Sequence, residues 1–98
     1  IDWGTAASSV DRKVRAFTPW PGCWSVDDTH TRFKILEGEM SGSESSLSAG
    51  TLISAEGDVV CGDGLCYRIT KIQPESAKPM RVVDALNGGR LKTGQTLS

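Results

Sequence analysis

Histidine is almost missing from this chain. The single example, His30, falls in the polar run Asp27-Asp28-Thr29-His30. No nucleophile–base–orienter set can be assembled around it, which argues against hydrolytic or transfer chemistry by these residues alone. Cysteine is scarce and odd in number: Cys23, Cys61 and Cys66 cannot all enter a closed disulfide framework. Together with His30 they also lack the second close ligand pair of a structural zinc site. No apolar run approaches the ~20 residues of a membrane span. No basic-then-apolar leader opens the chain, which starts at Ile1 rather than Met and so reads as a piece of something longer. Cysteines packed reduced, as small hydrophobes, predict a cytoplasmic protein with no membrane partner. Cys61 and Cys66 do flank the turn Gly62-Asp63-Gly64, so a bridge between them is conceivable. That GDG turn lacks the helix start and lysine of a phosphate loop.

What remains is one globular domain spanning residues 1–98, with 38% hydrophobic residues and 15 Gly plus Pro. The formal net charge is only −1, but the charge is unevenly spread. Residues 37–63 carry six acids and no Lys or Arg; residues 65–98 carry six bases against Glu75 and Asp84. A local positive field can survive a neutral total if that separation persists in space.

Periodicity predicts a helix from Thr5 to Phe17, capped by Thr5 and ended by Pro19. Its apolar stripe is Ala7, Val10, Val14 and Phe17, with Asp11 four residues before Arg15. Strands are expected at Cys23–Val26 and Arg32–Leu36, with Phe33 and Ile35 on one face and Arg32 and Lys34 on the other. Residues 41–48, SGSESSLS, read as a loop. Thr51–Ala55 and Val59–Cys61 should form a hairpin about Glu56-Gly57-Asp58. A long strand from Leu65 to Gln73 changes parity near Thr70-Lys71, which predicts a β-bulge. An exposed basic connection at 74–80 leads to a short helix at Arg81–Asn87 stopped by Gly88, then a final extended segment at Arg90–Leu97. These elements specify a mainly β domain with flanking helices, a small open OB-like barrel. Phe17, Trp20 and Trp24, in a corner stiffened by Pro19 and Pro21, are expected to cover the barrel end. Arg32, Lys34, Lys71, Lys78, Arg81, Arg90 and Lys92 are the candidate nucleic-acid contacts, the last two in the glycine-flanked GGRLKTG.

IDW at 1–3, VRAFTPWPG at 14–22, CGDG at 61–64, IQPESAKPM at 72–80 and ALNGGRLKTG at 85–94 occur in order. In combination they resemble the carboxy-terminal domain of methionyl-tRNA formyltransferases, almost end to end. The interval from GDG to QP is one residue longer than that pattern, where the bulge is expected. The resemblance implies a tRNA-docking module, with initiator methionyl-tRNA as partner. It also implies an amino-terminal formyltransferase domain outside these residues, which holds the catalytic groups and the donor 10-formyltetrahydrofolate, so that no cofactor binds this domain. Two alternatives stay open. One is a structural appendage of another formyltransferase, acting on a nucleotide sugar or on formyltetrahydrofolate. The other is a protein-interaction barrel that uses the aromatic corner.

Overall fold

The computed structural model describes residues 1–18 and 20–98. Helix α1 (Ala7–Phe17) precedes strands β1 (Cys23–Val26), β2 (Arg32–Glu44), β3 (Asp58–Val60), β4 (Leu65–Pro74) and β5 (Met80–Arg81), and helix α2 (Val82–Asn87) follows. All five strands join one antiparallel sheet in the order β1-β2-β4-β3, with β5 on the remaining length of β4. The sheet curls into an open half-barrel flanked by the two helices, the mainly β, OB-like architecture expected. No helix among the described residues is long and apolar enough to cross a membrane.

The core lies between the concave face and the helices. Ala7, Val10 and Val14 of α1 meet Phe33, Ile35, Tyr67, Ile69 and Ile72, while Val82 and Ala85 of α2 close the other side. The aromatic lid is Trp3, 3% exposed, whose Nε1 donates to Ser25 Oγ at 3.0 Å. The expected lid is not there. Phe17 is 45% exposed and Trp20 is 84% exposed. Trp24 occupies the outward parity of β1, between the inward-facing Cys23 and Ser25. Pro19, assigned the helix stop and part of the corner, lies outside the described residues.

Several boundaries differ from expectation for identifiable reasons. Thr5 does not cap α1; its hydroxyl donates to the Asp2 carbonyl at 2.8 Å, and the first helical N–H, on Ala7, is taken instead by Asp63 Oδ1 at 3.3 Å. The serines at 41–44 continue β2 rather than starting a loop, because Met40 and Glu44 still pair with Tyr67 and Leu65 and backbone pairing is indifferent to side-chain polarity. Thr51–Ala55 makes only two isolated bridges, Thr51 to Thr96 and Leu52 to Val59. There Ser54 Oγ accepts the N–H groups of Glu56 and Asp58 and tightens the segment into a turn. The final segment contributes one bridge, at Thr96, and is anchored by buried Leu91 and Leu97. The left-handed stop after α2 is Gly89 (φ 79°), not Gly88, because the helix closes one residue later with Arg90 N–H donating to Ala85 O at 2.9 Å.

The bulge is present and has a counterpart. Pairing steps from Ile35–Ile72 to Glu37–Lys71, then to Gly38–Ile69, so Leu36 on β2 and Thr70 on β4 are each passed over. The two slips cancel and restore the register. Across them, β4 burial shifts parity and Lys71 turns outward while Ile72 stays in the core.

Candidate nucleic-acid interface

Pairing partners share a face of the sheet, so the register decides which bases meet. Trp24 pairs with Lys34 and Lys34 with Gln73, while Lys71, two residues before Gln73, pairs with Arg81. Arg32 precedes Lys34 by two. Arg32, Lys34, Lys71 and Arg81 therefore stand on the convex face of β1, β2, β4 and β5. Trp24 organises one end: the Arg32 guanidinium lies 4.5 Å and the Lys34 ammonium 5.2 Å from its ring centre. Such contacts fix two cations without neutralising them. The Lys34 stem crosses Gly22, where an added Cβ would come within 2.8 Å of Lys34 Cε. A Cβ there would only push this flexible stem aside; it is the φ of 94° that favours glycine at the corner.

Acids intrude at the other end of the face. Arg81 Nε is 3.2 Å from Asp84 Oδ2, and Glu37 is the register partner of Lys71. Among the described residues the other six nominated bases have no carboxylate within ion-pair distance.

The remaining three stand apart from this face. Lys78 is exposed in the turn between β4 and β5, which folds back so that Gln73 Nε2 donates to Ala77 O at 3.1 Å. Arg90 and Lys92 follow α2 and line a cleft with Asp27 and Asp28 from the β1–β2 turn. Two basic groups result, one on the convex sheet and one beside acids at the sheet's end, with Lys78 in neither. The charge separation along the sequence also folds partly back on itself. Arg68, from the basic stretch, meets Asp58 at 2.9 Å and Glu56 at 3.7 Å. Burial opposes the Asp58 charge, but hydrogen bonds from Arg68, Ser54 and Ser41 hold its carboxyl below the ordinary range.

Cys23, Cys61 and Cys66 are free and buried, so the conceivable 61–66 bridge is not formed. Burial pushes the Cys61 thiol up to about 11, with Asp63 and Cys66 adding to it. Among the described residues no three His, Cys, Asp or Glu side chains gather as a metal site. Trp20 and Trp24, expected as the cover of the barrel end, stand instead at the surface, the placement that the protein-interaction alternative requires. The available signal was parity: Trp24 alternates with the inward Cys23 and Ser25.

The family description "Formyl transferase, C-terminal domain" matches residues 1–90. This chain belongs to that family. It is also similar to methionyl-tRNA formyltransferases. It is 35% identical to that of Hahella chejuensis over 102 aligned residues, covering 99% of this chain and 31% of the relative. It is 37% identical to that of Rickettsia felis, covering 90% of this chain and 28% of the relative. A third, from Rickettsia canadensis, is 37% identical over 93% of this chain and 29% of its own length. The chain thus spans about three tenths of the relatives it matches. The domain presents a tryptophan-centred basic sheet face, whereas its GDG turn serves the start of α1.

Proposed function

We propose that this domain is the tRNA-docking module of a methionyl-tRNA formyltransferase. The reading joins two things: relatives whose name couples a formyl transfer to methionyl-tRNA, and a convex face that carries Arg32 and Lys34 on Trp24 at one end and Lys71 and Arg81 at the other. The second observation carries it. Cations displayed on a rigid sheet neutralise phosphates and release counterions without reading sequence. Trp24 and the 84% exposed Trp20 add flat apolar surfaces on which bases stack. The reacting groups and the donor, 10-formyltetrahydrofolate, belong to a formyltransferase domain outside this chain, and this domain holds the initiator methionyl-tRNA in place for it in the cytoplasm.

The test is tRNA binding across a salt series for the chain and for the double variant Arg32→Gln/Lys34→Gln. The slope of log affinity against log salt becomes shallower by up to about 2 units if both cations meet phosphates. An unchanged slope removes this face from the interface.

A second reading rests on the exposure of Phe17 and Trp20, which suits a protein contact at that corner. Trp20→Ala separates the two. It weakens tRNA binding if the corner stacks bases, and leaves it intact if the corner meets protein.

A further inference from the structure

Trp20 and Trp24 are close in sequence and differently placed. Trp24 is covered: the Arg32 guanidinium lies 4.5 Å and the Lys34 ammonium 5.2 Å from its ring centre. Trp20 is 84% exposed, so its ring touches little of the chain. Phe17, on the same corner, is 45% exposed. Gly22 N–H donates to Phe17 O at 2.8 Å and brings the end of α1 against the start of β1.

Two lysines flank these rings. Lys13 stands one helical turn before Phe17 on α1, a spacing that leaves their Cβ atoms about 5–6 Å apart. Its carbonyl accepts the Cys23 thiol at 3.4 Å, so this turn of the helix lies along β1. Lys34 arrives from the sheet, its stem passing beside Gly22. Lys13 is exposed and has no carboxylate within ion-pair distance among the described residues, whereas Arg15 is held by Asp11 at 2.8 Å. Residues 12–26 include three bases and no acid. The corner therefore sets apolar rings between cations, and Lys34 joins it to the convex face.

We propose that this corner takes an unpaired stretch of RNA beside the paired region gripped by the sheet: Trp20 and Phe17 stack its bases, and Lys13 and Lys34 meet its phosphates. The inference rests on the docking reading and extends it with Lys13 and with a division between paired and unpaired RNA. That division follows from what each form exposes. In a duplex the bases are stacked face to face, and the sides offer phosphates, sugars and base edges. A projecting tryptophan finds no ring face there. Unpaired bases turn their faces outward and are seated on aromatic side chains, while cations track the backbone. A stretch with three bases and no acid favours a polyanion over a protein surface at this corner.

Two RNA hairpins with one stem test it, one blunt and one ending in four unpaired adenosines, each titrated into the chain at fixed salt. The unpaired tail is expected to tighten binding about tenfold. Trp20→Ala, at an exposed position, removes that gain and leaves the blunt hairpin unchanged. Lys13→Gln makes the salt slope shallower by about 0.7 unit for the tailed hairpin alone, since one single-strand phosphate contact is lost. Equal affinity for the two hairpins, the result expected of a corner that meets protein, overturns the proposal. So does a gain that survives Trp20→Ala. Failure of the docking reading looks different: affinity for the blunt hairpin then ignores Arg32→Gln/Lys34→Gln.

Discussion

Asp63 and Ala7 are 56 residues apart in the chain, yet the Asp63 carboxylate accepts the first N–H of helix α1 at 3.3 Å. The same oxygen accepts Leu65 N at 3.3 Å, and the neighbouring Gly62 N–H bonds Thr5 O at 2.8 Å. The GDG turn is therefore a remote helix cap, with a negative charge placed against the positive end of the helix dipole. Gly62 is needed there because the Gly4 backbone occupies the space a side chain would fill. Asp63→Ala is expected to cost about 1 kcal/mol by denaturant unfolding, and Asp63→Asn about half of that. Equal stability of all three proteins would show the cap to be idle.

Tyr67 offers a change in the opposite direction. It is fully buried, its ring packs against Gly38, and its hydroxyl has no hydrogen-bond partner among the described residues. Burial raises its pKa far above the usual phenol range, so the group stays neutral. A buried hydroxyl left unpaired costs desolvation with no return. Tyr67→Phe should raise stability by about 1 kcal/mol, seen as a higher denaturant midpoint with unchanged slope. A loss of stability would mean that the hydroxyl has a partner in solution.

Periodicity carried the elements whose side chains alternate cleanly between water and core. Ala7, Val10 and Val14 marked α1; Phe33 and Ile35 fixed the inward face of β2; the parity change at Thr70 exposed the bulge. It failed where the backbone decides without the side chains' help. The serines of β2 carry no strand pattern, and the cap of α1 comes from a turn far away in the chain. The candidate cations are legible in the sequence as a set but not in their grouping, because the separation of Arg90 and Lys92 from the sheet face depends on where the residues after Gly89 cross the β1–β2 turn. Trp20 and Trp24 do not cover the barrel end, because bulk says nothing about direction.

The Asp58–Arg68 pair sets an acid dependence. The Asp58 carboxyl titrates below its ordinary value of 3.8 in the folded chain. Its contribution is therefore complete above the unfolded value and is lost as pH falls through the lower, folded one. Stability should decline from about pH 4 downward. Arg68 is partly exposed, so solvent screens the pair. Asp58→Asn is expected to cost about 2 kcal/mol at pH 7 and much less at pH 2, measured by urea unfolding at both. A difference independent of pH would assign the effect to packing.

The three cysteines should resist modification while the chain is folded. All are buried, and burial raises each thiol, Cys61 to about 11. The thiolate is the reactive form, so both access and ionisation are withheld. A disulfide-exchange reagent at pH 7.5 is expected to label none of the three in native buffer and all of them in denaturant. Rapid labelling of one thiol under native conditions would reveal local opening there.

Trp3 and Trp20 define the limits of what bulk contributes here. Trp3 is 3% exposed, touches Tyr67 with ring centres 6.5 Å apart, and ties the first residues to Ser25. Trp20 is 84% exposed. Trp3→Ala should cost about 3–5 kcal/mol, since it empties a ring-sized space; Ser25 Oγ keeps its bond to Ser98 O at 2.9 Å. Trp20→Ala should stay within about 0.5 kcal/mol, as surface changes do. Fluorescence distinguishes the two without relying on stability. A polar quencher reaches Trp20 and, in part, the half-buried Trp24 but not Trp3, so Trp20→Ala lowers the easily quenched emission. Were the quenchable fraction unchanged, the corner would be folded against the domain in solution, and its role as an open surface for RNA or protein would fall.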